Sequence, residues 1–178
     1  MQEDFSFGKN IGRNFVNLQK ILIFALLNDY FMKSYKITDF TQDSDDPTSY
    51  EGTVVVGGEE LGVSIILEDE GETEKVEQLM NSFFSEINTL LPKAKECIAE
   101  KYLELYNDNW RFGDDDEDDP DKTELTKEEF MEALSLQSLL FYSEDVEVFF
   151  DDNDMFLGHS LIASAFDGEN FNDAQMFG

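Results

Sequence analysis

Residues 149–166 read FFDDNDMFLGHSLIASAF, and this stretch decides the fold. Two apolar runs flank the turn Asp151, Asp152, Asn153 and Asp154. Short Asp and Asn side chains bond nearby backbone and tolerate left-handed conformations, while Phe, Leu and Ile suit half-buried strands, so the stretch predicts a β-hairpin. His159, the one histidine, follows Gly158 in the second run. In strand phase with Leu157, Leu161 and Ala163 it points inward, where a neutral imidazole donates a hydrogen bond that fixes the hairpin.

Working outward, strands are expected at about 136–143, 146–151 and 156–166, closed by the turn Asp167, Gly168, Glu169, Asn170 before the tail FNDAQMFG. Thr126 to Glu129 forms a capping-box start to a short helix through Leu134. Upstream, Val76, Leu79, Met80, Phe83, Phe84, Ile87, Leu90 and Leu91 recur at helical spacing after the N-cap candidate Thr73. Pro92 removes a backbone donor and crowds the preceding turn, which predicts an end near Thr89, or a kink before a second helix over 93–106 with Ala94, Cys97, Ile98, Tyr102 and Leu105 inward.

Before these helices, YEGTVVVGG and EELGVSIILED alternate around Gly57 to Glu60 and predict another hairpin. Residues 38–49 have loop composition, and residues 13–36 carry Phe15, Leu18, Ile21, Leu22, Ala25, Leu26 and Phe31 at helical spacing. The division expected is an N-terminal helical extension over 1–49 and an α+β domain over 50–178. That domain is expected to hold an antiparallel sheet of about five strands with long helices packed on one face, because strands, helices and strands follow in blocks. The other face is left to solvent or a partner.

The formal charge is −29, which repels nucleic acid and anionic membranes. Its distribution is uneven: residues 1–49 carry five basic and seven acidic side chains, whereas the chain after Lys127 carries twelve acidic residues and no Lys or Arg. Those carboxylates are either solvated or answered by a cation or a basic protein. Residues 114–121, DDDEDDPD, are acidic at seven of eight positions and predict a solvated loop. Cys97 has no second cysteine to pair with, and Ile21 to Leu27 is too short to span a bilayer. A protein of a reducing, cytoplasmic compartment is expected.

The run YNDNW (106–110), then TKEEF (126–130), and above all DDNDMFLGHSL (151–161) resemble the bacterial domain-of-unknown-function family 2262 over about residues 50–178. That family shows an N-x-W, a short helix with E-E-F, and a C-terminal F-W-G-H; Leu157 stands where the pattern has Trp. In this resemblance Trp110, Gly158 and His159 are motif positions. It also implies kinship with proteins encoded beside polymorphic toxins and acting as immunity proteins.

Chemistry-bearing patterns are few. Asp152, Asp154 and His159 are the right ligand types for zinc or iron, but no second histidine and no cysteine lies near, and a catalytic metal usually holds three protein ligands. An EF-hand loop begun at Asp114 would need Gly sixth and Glu twelfth and finds Asp119 and Leu125. No cofactor fingerprint or nucleophile elbow is present, and Ser160 points away from His159 in a strand. Trp110 reads as a packing residue at a helix end.

The expected function is therefore a non-enzymatic acidic binding protein, an immunity-type inhibitor of a basic partner such as a nuclease toxin, with no cofactor. Asp114, Asp115, Asp116, Glu117, Asp118 and Asp119 would steer, and Asp151, Asp152 and Asp154 would dock. The alternatives are a metal-dependent enzyme centred on Asp152, Asp154 and His159, and a housekeeping protein without a basic partner.

Overall fold

The structure is a computed structural model that describes residues 33–111 and 123–178. The helix expected over 13–36 lies outside the described residues except at 33–36, which form no helix. The described residues begin with a 3-10 turn, Ile37–Asp39, and then build β1 (Thr41–Gln42), β2 (Ser49–Val56) and β3 (Glu59–Ile66). Helix α1 (Thr73–Leu105) follows, then a single π-helical turn, Tyr106–Trp110, and α2 (Lys127–Ala133). Strands β4 (Ser135–Phe141), β5 (Val146–Asp151), β6 (Ser160–Ala165) and β7 (Asp173–Phe177) complete it.

The fold is α+β, but among the described residues the sheet has seven strands, not about five, in the order β1 to β7. It is mixed rather than antiparallel, because β3 and β4 run parallel, with Val63 opposite Leu139 and Ile65 opposite Phe141. A parallel pair needs a long crossover, and residues 67–134 supply one. Two short strands escaped the sequence reading. β1 is only two residues, and β7, DAQMF, lies within the stretch read as a tail; both are recruited by pairing with a longer neighbour.

The helices are also corrected: among the described residues one is long and one is short. Helix α1 runs unbroken through Pro92. Its buried stripe, Val76, Met80, Phe83, Phe84, Ile87, Leu90, Ala94 and Ile98, keeps phase across the proline. Asn88, whose carbonyl loses its partner to the ring, and Pro92 are both exposed, so water can satisfy that carbonyl. Packing of the stripe outweighs the local penalty. The helix is about 50 Å long and covers one face of the sheet.

On that face the alternation places Val54, Leu61, Val63, Ile65, Leu139, Phe141, Val146, Val148, Phe150, Leu161 and Ala163 in the core. Phe83 and Phe84 meet Phe141 at 5.5 and 5.9 Å between ring centroids. Burial extends into residues 35–40, within the stretch read as an extension. Tyr35, Ile37 and Phe40 are buried, Tyr35 N–H donates to Asn81 Oδ1 at 2.8 Å, and Phe40 lies over Gly52, where a Cβ would collide with its ring. Among the described residues, no helix is long and apolar enough to cross a membrane.

Candidate functional site

The stretch between β5 and β6 is not a four-residue turn but a compact loop over 152–159. Its shape comes from four residues in the left-handed region: Asn153, Asp154, Leu157 and Gly158. Asn and Asp enter that region cheaply, as the composition predicted, and Leu does not. The loop turns Phe156 inward to full burial and leaves Leu157 outside, 77% exposed.

Phe156 is the centre of an aromatic cluster. Tyr102, Tyr106, Trp110 and Phe130 surround it at centroid distances of 5.4 to 6.2 Å. Trp110 also meets His159 edge to face at 5.8 Å. The three motif segments, far apart in sequence, are thus one packed unit: the π turn gives Tyr106 and Trp110, α2 gives Phe130, and the loop gives Phe156 and His159. The capping box at Thr126 and Glu129 starts α2 as expected, with the Thr126 hydroxyl accepting from Glu129 N–H and the Glu129 carboxylate accepting from Thr126 N–H.

Polar groups lock the loop. Asp152 is 1% exposed, and its carboxylate accepts from Asp154 N–H at 3.0 Å and Phe156 N–H at 2.6 Å. His159 Nδ1 bonds the Phe156 carbonyl; a carbonyl only accepts, so Nδ1 carries the proton. His159 lies just before β6, half-buried against Trp110, and its bond closes the loop from within. Asp151 accepts from Asn153 N–H at 2.7 Å, and the Asn153 amide reaches Ala133 O and Ser135 Oγ, tying the loop to the end of α2.

Asp151 and Asp154 are exposed at this end of the sheet. Asp152 cannot dock as expected, because its oxygens are spent on the loop's own amides. Asp152, Asp154 and His159 also fail to converge as ligands, and no trio of His, Cys, Asp or Glu among the described residues is gathered for a metal. Asp114 to Asp119 lie outside the described residues. The flanks of that run are fixed: Asn107 exchanges two hydrogen bonds with the Leu125 backbone at 2.9 and 3.0 Å, and Arg111 meets Glu124 at 3.6 Å.

The strongest concentration of described carboxylates is one the sequence reading missed, at the opposite end of the sheet. The register places loops 43–48, 67–72, 142–145 and 166–172 and the N-terminus of α1 together there. These loops hold Asp43, Asp45, Asp46, Glu68, Asp69, Glu72, Glu144, Asp145, Asp167 and Glu169, and the first turn of α1 adds the one basic residue, Lys75. Lys75 is already engaged by Glu72 at 2.9 Å and Glu144 at 3.6 Å.

Asp43, Asp46, Asp69 and Asp167 each accept hydrogen bonds that shape their own loops. Asp167 accepts from the amide and backbone of Asn170 and from Glu169 N–H, which hold its carboxyl at about 2. Thr48 holds Asp46 low through its hydroxyl and amide, and the Ser143 hydroxyl and Lys75 hold Glu72 low. Burial and Glu144 push Asp145 up. The helix dipole favours negative charge at this end. Spacing alone could have suggested the cluster, since each loop is acidic, but only strand order brings the four together.

A family model described as "Uncharacterized protein conserved in bacteria (DUF2262)" matches residues 36–176. No curated protein and no solved structure matches the chain. The match begins beside Tyr35 and Ile37, where the packed core begins, and ends within β7. The chain belongs to this bacterial family, and its domain takes in the buried residues that precede β1.

Proposed function

We propose that this protein is a non-enzymatic binding module that captures a basic protein, in the specific form of an immunity-type inhibitor. The observation that carries the reading is the convergence of ten carboxylates from four loops onto one end of the sheet, with Lys75 as their only basic neighbour in those loops and the first turn of α1. Such a field attracts cations over about 8 Å at physiological salt and raises association rates. Asp151 and Asp154 extend the negative surface to the far end. Carboxylates facing lysines and arginines would occupy the positions that phosphates take on a nuclease.

The test uses the basic protein encoded nearest to this chain's gene. Binding is measured by calorimetry and stopped flow from 50 to 500 mM salt, beside an unrelated protein of equal positive charge. The expected result is an association rate that falls steeply with salt, and a loss of at least roughly ten-fold when Asp45, Glu144 and Glu169 are replaced by Lys. Binding that ignores both salt and these replacements, or equal binding of the unrelated protein, would overturn the reading.

A further inference from the structure

One carboxylate of the sheet stands apart from the acidic loops. Glu147 of β5 lies on the face away from α1, because its neighbours Val146 and Val148 are the ones buried against the helix. The register sets Leu140 of β4 and Ser164 of β6 directly opposite Glu147, while Phe149, two residues along the same face, lies opposite Ile162. Glu147, Leu140, Phe149 and Ile162 are all half-buried. A negative charge is thus held inside a largely apolar patch.

Nothing described neutralises that charge. None of the seven described strands contains Lys or Arg. Asp173, at the sheet edge, is reached from α1 by Lys101 at 3.5 Å, whereas no cation among the described residues comes within ion-pair distance of Glu147. Burial, with Asp145 and Asp173 near, pushes its carboxyl up, so the folded domain bears a cost for keeping it ionised. A charge kept at the expense of the fold is what a binding site holds in readiness.

We infer that Glu147 anchors an arginine side chain of the basic partner, with the patch around it as the apolar part of the contact. This rests on the reading of the chain as a module that captures a basic protein. A guanidinium suits the place better than an ammonium, because it is weakly hydrated, pairs with a carboxylate through two parallel hydrogen bonds and stacks on aromatic rings such as Phe149. Leu140 and Ile162 would exclude water around the pair, the setting in which one interface residue carries much of the affinity. The patch also adjoins the acidic end: Glu147 stands two residues beyond loop 142–145, and Phe166, 56% exposed, precedes Asp167. A partner drawn in by the loops therefore arrives beside Glu147. A second copy of this chain is a poorer occupant, since both copies bear the same charge and the strands offer no cation to meet the carboxylate.

The experiment titrates the isotope-labelled full chain with benzylguanidinium, an arginine-like amphipathic cation, beside its neutral counterpart benzylurea, and follows backbone amide resonances. The expected result is saturable shifts centred on Glu147, Phe149 and Ile162, absent with benzylurea, and an affinity at least roughly ten-fold weaker in Glu147→Gln. An unchanged or higher Tm in that variant separates lost binding from lost folding. Shifts confined to the acidic loops would overturn the anchor and leave the reading of that end standing. No shifts, or an equal response to benzylurea, would overturn the anchor as well. With the basic protein of the binding test, Glu147→Gln should raise the dissociation rate roughly ten-fold and change the association rate by less than about two-fold. Unchanged dissociation beside an association rate that still falls with salt removes the anchor alone; association that ignores salt removes the wider reading with it. A dimer of the full chain that Ile162→Asp separates would give the face to a second copy and overturn the anchor.

Discussion

The only tryptophan and the only histidine touch: the Trp110 and His159 rings lie 5.8 Å apart at 77°. Trp110 ends the π turn after α1 and His159 ends the loop before β6, so this contact joins the two ends of the motif. His159→Gln removes the imidazole ring and should shift Trp110 emission to longer wavelength, because the indole edge it covers opens to water. Unchanged emission in the variant would mean the rings do not meet in solution.

Phe156 holds the loop by packing, and Asp152 holds it by hydrogen bonds. Phe156→Ala should cost about 3–5 kcal/mol, because a fully buried ring leaves a cavity among four aromatic neighbours. Asp152→Asn turns one acceptor into a donor facing an amide N–H and should cost about 1–3 kcal/mol. Urea unfolding monitored by Trp110 fluorescence measures both. A near-neutral Asp152→Asn would show that the loop amides find other acceptors.

Leu157 is strained without packing to show for it, with φ at 59° and 77% of its surface exposed. Leu157→Gly should be neutral or stabilising by up to about 1 kcal/mol, the relief of a left-handed residue exceeding the added entropy of the unfolded chain. Leu157→Val should be destabilising. Thermal unfolding decides, and the reverse order would place an unseen contact on Leu157.

Asp167 and Glu147 should respond oppositely to acid. Asp167 is held at about 2 by Asn170 and the turn amides, so its contribution is complete above the ordinary carboxylate range and is lost as pH falls toward 2. Asp167→Ala should lower Tm at pH 7 by on the order of 2–4 °C, with the gap closing in acid. Gly168, the next residue, sits with positive φ against Leu79, so loosening this turn also loosens the approach of α1.

Burial raises the Glu147 carboxyl, Asp145 and Asp173 add repulsion, and the Ser164 hydroxyl offsets part of it. A raised carboxyl destabilises where it is ionised, and that cost disappears as pH falls through its folded value. Glu147→Gln should stabilise at pH 7 by on the order of 0.5 kcal/mol after solvent screening, and the two proteins should converge below about pH 4. Denaturant midpoints across pH 4 to 8 test the sign.

Strong periodicity carried well from sequence to structure. Val76 to Leu91, the Val54 to Leu67 hairpin and the capping box at Thr126 formed where their patterns lay. What misled was local chemistry overruled by packing: Pro92 stayed inside α1 because the stripe on either side of it faces one continuous core. β7 was illegible because Asp173 to Phe177 becomes a strand only by bonding to β6. At the candidate site, the His159 hydrogen bond was legible as a type of interaction, but the burial of Asp152 was not, since Asp151, Asp152 and Asp154 are alike until the loop closes.

The sequence by itself determined the α+β class, the apolar faces and the surplus of negative charge, because propensity, alternation and composition act within a few residues of each position. Only the tertiary structure decided that β3 and β4 run parallel, that Trp110, Phe130, Phe156 and His159 share one cluster, and that four acidic loops meet at one end. Those outcomes depend on which strands become neighbours. Strand order is set by how the whole apolar surface of α1 and the sheet is best buried, a sum over contacts remote in sequence that no local window contains.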